Sequence, residues 1–327
     1  MKKIFSYAEA INSGLDYILK KIPNSVVIGQ GVDRPGGVFG TTDGLIGKYS
    51  NKRVIDFPIC ESLMTSSAIG MANRKLRPIL VHQRIDFAMY SFDALFNWIA
   101  TWRFKSGGTS TLPLVIRAII GRGWGQGPQH SKPLYPLLSG IPGIKLVMPT
   151  TPFDAKGILI ASALSNDPVI IIEHRSLYGL KEEIPVDGYA VELDHERIRN
   201  IGEKLTIACI GDASNLILKI IEKNKNLKNK IELIDLVGIY PLTITKIVKS
   251  LKKTKKLIII ESCWDSLGVG HKILNKIIKE CNEKKIKLEK EPMLIGLPES
   301  HIPTSHYNES QFYLDENTLL KAIRKKL

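Results

Sequence analysis

Apolar, β-branched runs recur along the chain with room for a helix between them: SVVIG, RVIDFPI, RPILVH, PLVIRAII, IKLVMP and PVIIIEHR, then LTIACIG, IELIDLV, KLIIIES and PMLIGLP. Continuous apolar strands separated by amphipathic segments predict parallel sheets covered on both faces, an α/β fold. Between Pro185 and Lys204 the sequence turns polar and irregular (PVDGYAVELDHERIRNIGEK), and the strand–helix rhythm then restarts. The pattern predicts a domain over residues 1–190, a linker over 191–203 and a second domain over 204–327. No solenoid period and no low-complexity tract interrupts it.

Composition narrows the class. The 327 residues, 44% hydrophobic and 24% charged, are those of a soluble globular protein large enough for two cores. No apolar run approaches the roughly 18 residues of a membrane span, and Met1-Lys2-Lys3 leads into no signal-peptide core, so a cytoplasmic location without membrane attachment is expected. The four cysteines (Cys60, Cys209, Cys263, Cys281) form no CxxC pair and have no His at zinc spacing, which predicts reduced, mostly buried thiols and no metal bound by this chain. The formal charge of +14 is concentrated in 219–230, 246–256 and 272–290, where Lys alternates with Ile and Leu at helical spacing. Solvated helix faces account for it, without a nucleic-acid partner.

In open parallel sheets, ligands gather where strands end and helices begin. Glu61 lies there, after VIDFPI and before SLMTSSAIGMANRKL, a run of small residues suited to close helix packing. An acid in the first helical turn complements the macrodipole; the functional alternative is a partly desolvated carboxyl that exchanges a proton with a ligand nitrogen. The loop GRGWGQGPQHS (121–131) lacks a P-loop ending and follows PLVIRAII, which sets His130 at the same sheet edge. The third stretch, VHQRIDFAMYSFDALFNWIATWRFKSGG (81–108), reads as a strand end and loop leading into a helix. It carries more aromatics than one core stripe needs, which fits a subunit interface or, for Phe87, the wall of a flat ligand.

Together these stretches resemble the β subunit of the thiamine-diphosphate-dependent decarboxylating component of 2-oxo acid dehydrogenases, of pyruvate, branched-chain and acetoin types. Pro58-Ile59-Cys60-Glu61 matches the P-[IL]-[SC]-E motif, Phe87 the aromatic 26 residues later, and His130-Ser131-Lys132 an HSQ-like motif. PGIKLVMPTTPFDAKGILIASALSNDPVIIIEHRSLYG and ESCWDSLGVG resemble further family signatures, so the likeness spans essentially the whole chain. It implies a transketolase-type pyrimidine-binding domain followed by a transketolase-type C-terminal domain. It also implies thiamine diphosphate as cofactor, with Glu61 as the carboxyl that activates the aminopyrimidine, Phe87 packed on that ring, and His130 as an acid/base or substrate-orienting group.

The GDG…NN motif that holds magnesium and diphosphate in thiamine enzymes is absent; Gly211-Asp212-Ala213-Ser214-Asn215 imitates only its start. The resemblance therefore implies an α subunit that holds Mg2+ and the diphosphate half, most simply in an α2β2 assembly, with a lipoyl acyltransferase as a possible further partner and a 2-oxo acid as substrate. Two departures from the family stand out: Gly29-Gln30-Gly31-Val32 replaces an acidic pattern, and His82 and Arg84 appear at the end of the strand reaching Val81. Alternating residues share a face, so His82 and Arg84 are expected to receive an extra carboxylate or phosphate of the substrate, or to be satisfied by subunit partners. The rival functions are half of a split transketolase or carboligase acting on a sugar-like aldehyde, and a non-catalytic scaffold subunit.

Overall fold

The computed structural model describes residues 1–121 and 125–327. The chain forms two compact units: residues 1–121 with 140–193, and the described residues of 122–139 with 194–327.

The first unit begins with β1 (Lys2–Ser6) and α1 (Tyr7–Lys21). Ser6 and Glu9 form a reciprocal capping box at the start of α1, which buries Tyr7, Ala10, Ile11, Leu15, Ile18 and Leu19 at helical spacing. There follow β2 (Ser25–Gly29), α2 (Leu45–Tyr49), β3 (Val54–Asp56), α3 (Glu61–Asn73) and β4 (Arg77–His82). The unit continues with α4 (Ile85–Ala88), α5 (Trp102–Lys105), β5 (Val115–Ile120), β6 (Lys145–Val147), α6 (Pro152–Leu164), β7 (Val169–His174) and β8 (Lys181–Pro185). Its main sheet runs β6-β7-β5-β4-β2-β3 with all of these neighbours parallel.

All six residues of β5 and of β7 are buried, as two-sided coverage requires. The helix α6 is apolar on nearly every face and correspondingly buried, and it packs on α1. At its end, Arg77 donates to the carbonyls of Ala163 and Ser165 at 2.9 and 2.8 Å, satisfying acceptors that the helix itself leaves open.

The second unit carries β9 (Glu196–Asn200), β10 (Leu205–Ile210), α7 (Ala213–Lys223), β11 (Ile231–Leu236), β12 (Gly238–Tyr240), α8 (Thr245–Thr254) and β13 (Leu257–Trp264). It ends with α9 (Gly270–Glu283), β14 (Met293–Leu297), α10 (His306–Phe312) and α11 (Glu316–Lys326). The sheet order is β14-β13-β10-β11-β9, parallel except for β9. The helices α7 and α11 close one face over a core of Leu205, Ile207, Ile217, Leu233 and Ile260. Lys219, Lys249, Lys252 and Lys253 point outward from α7 and α8, the solvated faces that the lysine spacing predicts.

Three local features differ from the sequence reading. β1 pairs antiparallel with β8, and β9 is an antiparallel edge strand inside the stretch expected to be a linker. The aromatic segment after β4 is not one helix: α4 passes through a 3-10 turn (Met89–Ser91) and a π-helical turn (Ala94–Ile99) before α5. The wider π turn rotates the register, so Ala94, Leu95 and Ile99 enter the core while Trp98 and Phe104 stay exposed. No helix among the described residues is long and apolar enough to cross a membrane.

Candidate functional site

The strands of the first sheet deliver their chemistry at their carboxyl ends: Gln30 after β2, Glu61 after β3, His82 and Arg84 at the end of β4, Gly121 after β5, and His174 and Arg175 at the end of β7.

Glu61 is the first residue of α3 and is half-buried. Gln30 Nε2 donates to its Oε1 at 3.4 Å, a long contact that leaves the carboxylate lightly held. On either side, Ile59 and Leu63 are 86% and 56% exposed, and Ser62, Ser66 and Gly70 give the outward face of α3 little relief. A lone acid between uncovered apolar side chains is the profile of a surface that something else covers.

The carbonyl of Glu61 accepts from Ser91 Oγ at 2.9 Å, and Ser91 Oγ in turn accepts from Thr65 Oγ1 at 2.8 Å. Thr65 Oγ1 lies 3.2 Å from His82 Nε2. A hydroxyl has one proton, and that of Thr65 goes to Ser91, so His82 donates through Nε2–H and is the Nε2 tautomer. The chain of bonds His82–Thr65–Ser91–Glu61 fixes the first turn of α3. Thr65 and Ser91 carry no sequence signal for this contact, because the two residues meet only in the fold.

His82 and Arg84 do not form the cationic pair that alternation along β4 suggests. His82 is buried, and burial lowers its pKa to about 4, so the ring is neutral near pH 7. Its Nδ1 has no hydrogen-bond partner among the described residues. Arg84, also buried, turns to other groups: Nη1 donates to the carbonyl of Gly121 at 2.9 Å and the guanidinium lies 5.4 Å from the Phe39 ring centre. The pair therefore divides into a structural imidazole and one fixed cation.

A neutral buried His makes the fold sensitive to acid. Its proton binds the unfolded chain first, near pH 6.5, and the folded chain only near pH 4, so stability is full above that window and falls between the two values. Urea unfolding from pH 7 to pH 4 should show a loss of a few kcal/mol, and His82→Gln should flatten part of that slope. An unchanged slope in the variant removes His82 as its source.

Phe87 sits in α4, which packs against α3, and is half-buried. His130 belongs to the second unit. The loop that carries it is anchored there by Gly125 N–H to Glu309 Oε2 (2.6 Å), by Cys263 Sγ to the carbonyl of Pro133 (3.4 Å) and by the Tyr135 hydroxyl on Glu261. His130 is half-buried and its amide donates to the carbonyl of Gly127 at 3.4 Å. Arg122, Gly123 and Trp124 of the glycine-rich loop lie outside the described residues.

Beneath the edge lies a buried polar cluster that the sequence reading missed. Arg117, fully buried in β5, makes a two-pronged bond to Glu173 (2.5 and 2.9 Å) and donates to Thr41 Oγ1 at 3.0 Å. Tyr178 OH donates to Glu173 at 2.5 Å. Burial by itself would lower the Arg117 pKa, but the charge and hydrogen bonds of Glu173 raise it, so the guanidinium stays ionised.

Two α/β units, the first with an acid at a strand's carboxyl end and a helix-borne aromatic on the adjoining helix, define a transketolase-type chain. The comparisons agree: the transketolase pyrimidine-binding domain matches residues 3–181 and the transketolase C-terminal domain residues 194–317. The pyruvate dehydrogenase E1 component subunit beta of Porphyra purpurea is 35% identical over 98% of this chain and 94% of its own length. The acetoin:2,6-dichlorophenolindophenol oxidoreductase subunit beta of Cupriavidus necator is 31% identical over 100% of this chain and 98% of its own. Among solved structures, a split-gene transketolase, described as an inactive beta4 tetramer, superposes with a TM-score of 0.76 at 17% identity, covering 99% of this chain and 98% of its own, which bears on fold alone. The chain belongs to the family of 2-oxo acid dehydrogenase β subunits of the pyruvate and acetoin type.

Proposed function

We propose that this chain is the β subunit of a thiamine-diphosphate-dependent enzyme that decarboxylates a 2-oxo acid and passes the acyl group to lipoyl or another acceptor. The observation that carries the reading is the setting of Glu61: a lightly held carboxylate at the start of α3, between uncovered Ile59 and Leu63, with Phe87 on the adjoining α4. An aminopyrimidine ring needs one acid for a ring nitrogen and apolar surface for its faces, and these residues fit it. Bound thiamine diphosphate supplies the electron sink for loss of carbon dioxide.

The chain's own residues position and tune. Glu61 would hydrogen-bond the pyrimidine ring nitrogen and tune its proton balance, Phe87 would pack on the ring, and the Ser91–Thr65–His82 chain holds the first turn of α3 in place. His130 serves as acid/base or orienting group toward the reacting carbon. The pyrimidine-binding domain corresponds to residues 1–190, except that 125–139 group with the second unit, and the C-terminal domain corresponds to 204–327. The diphosphate and Mg2+ fall to an α subunit, because this sequence has no GDG…NN motif. An α2β2 assembly in the cytoplasm, served by a lipoyl acyltransferase, completes the reading.

One interface surface is an apolar groove of about 730 Å³ lined by Phe96, Ala100, Phe104, Ile141 and Pro142. Phe104 is 89% exposed there, more than a side chain of its size normally leaves to water.

Calorimetric titration of thiamine diphosphate tests the reading. The chain co-expressed with its α subunit is expected to bind it with Mg2+, and the chain alone to bind it at least about a hundredfold more weakly. Absence of binding by the complex overturns the proposal. Product analysis with and without lipoamide separates acyl transfer from the carboligase or split-transketolase alternative.

A further inference from the structure

We propose that Gln30 is a positioning residue that acts through Glu61: its carboxamide aims the Glu61 carboxylate and gives it an uncharged hydrogen-bond donor. Gln30 Nε2 donates to Glu61 Oε1 at 3.4 Å. What Glu61 does for a cofactor rests on the proposed function; how Gln30 sets its direction is a property of this chain.

The peptide that follows Gln30 is clamped on both edges. Its carbonyl accepts from Gln83 Nε2 at 2.6 Å, and its N–H, that of Gly31, donates to Asp56 Oδ1 at 2.5 Å. The two clamps come from the neighbouring strands: Gln83 follows β4 and Asp56 closes β3, while β2, which leads into Gln30, lies between them in the sheet. Gly31 turns the chain there at φ +64°. On the other side, Gly29 admits no side chain, because a Cβ would lie 2.8 Å from Val32 Cγ1 and 2.9 Å from the Val81 carbonyl oxygen. With its backbone fixed, Gln30 has less freedom to lose when its side chain reaches Glu61.

Glu61 is thereby held at two ends. Ser91 Oγ donates to its carbonyl at 2.9 Å and sets the backbone, and Gln30 sets the carboxylate. The second contact is long, as hydrogen bonds of a reacting group commonly are before the ligand arrives and tightens them.

An amide suits this task better than a charged group. It donates throughout the neutral range, so it orients a carboxylate without the neutralising charge of Lys or Arg and without the competition for a proton that a second carboxyl brings. The ionisable side chains on the elements around the start of α3 have other engagements. Asp56 of β3 is bonded to Gly31, and His82 of β4 is neutral near pH 7 and bonded to Thr65. Arg84 donates to the Gly121 carbonyl, and Asp93 accepts from Asn97 at 2.8 Å. Asp86 of α4 bears the same sign of charge as Glu61 and supplies no donor when ionised.

The test uses the complex co-expressed with the α subunit and takes thiamine diphosphate as the probe, read by calorimetric affinity and by hydrogen–deuterium exchange at its C2. Gln30→Met keeps the length of the side chain and removes the donor. Its affinity is expected to weaken about threefold, and its exchange rate at saturating cofactor to fall about tenfold, alike from about pH 5 to about pH 8. Gln30→Glu donates only while the new carboxyl is protonated and repels Glu61 once it ionises. The ratio of its exchange rate to the native rate is therefore expected to fall at least about tenfold as pH rises across that range. A role in packing alone gives a ratio that does not change with pH. Should Gln30→Met fail to fold by thermal unfolding, the Gln30→Glu ratio decides the matter. Native exchange in Gln30→Met, or a constant ratio in Gln30→Glu, overturns the assignment of Gln30 while the cofactor reading stands. A native complex that binds no thiamine diphosphate overturns the cofactor reading, and this inference with it.

Discussion

Glu61→Gln in the assembled complex is expected to lower turnover by about 10²- to 10⁴-fold, the range that a positioned proton-exchanging group contributes. The substitution keeps the size of the side chain and its contact with Gln30, and it leaves the Glu61 carbonyl that accepts from Ser91 untouched. Folding should therefore be nearly unaffected, because the carboxylate is half-buried and its contact with Gln30 is a long one. Steady-state rates with saturating cofactor, read beside thermal unfolding, separate the two effects. Loss of activity with an unchanged melting temperature fits the assigned role. Full activity in the variant would make Glu61 a helix-start residue and no more, and would favour a scaffold subunit.

Glu173→Gln is expected to have the largest effect on stability, about 3–5 kcal/mol, the usual cost of leaving one member of a buried ion pair alone. Arg117 is fully buried and loses the charge that keeps it ionised, while Tyr178 loses its acceptor's charge. Through Arg117 the damage reaches Thr41 and the loop of Phe39. Replacing both members, Arg117→Met with Glu173→Leu, should recover much of that loss, since the penalty comes from the unpaired charge more than from the missing attraction. Urea unfolding of the single and double variants measures both, and a double variant weaker than the sum of its parts would contradict the assignment.

The strands were legible because each is a continuous β-branched run, and two-sided burial leaves no other reading for β5 or β7. The edges were not. β1, β8 and β9 are polar (KKIFS, KEEIP, ERIRN), and antiparallel pairing across long separations leaves no periodic trace. The irregular helix after β4 was hidden for the opposite reason, since nearly every residue there is apolar or aromatic and no single period dominates.

Glu61 was found by position and motif, and the fold sets it at the strand end that position implies. The Thr65–Ser91–His82 chain was invisible because its members come from separate elements. His82 misled because a histidine's charge depends on burial, which sequence alternation does not report. Arg175 had the same signal as Arg84, a cation at a strand's carboxyl end, but it stood inside a stretch read only as a family signature. The tie of residues 125–139 to the second unit depends on partners such as Glu261, Cys263 and Glu309, each more than a hundred residues downstream.

Hydrogen–deuterium exchange at C2 of thiamine diphosphate bound to the assembled complex, quenched in acid and read by proton NMR, looks straight at what the side chain at position 61 does. Rapid exchange in the native complex and exchange near the rate of free cofactor in Glu61→Gln is the outcome this account requires. Equal exchange in the two complexes, with cofactor bound in both, would contradict it.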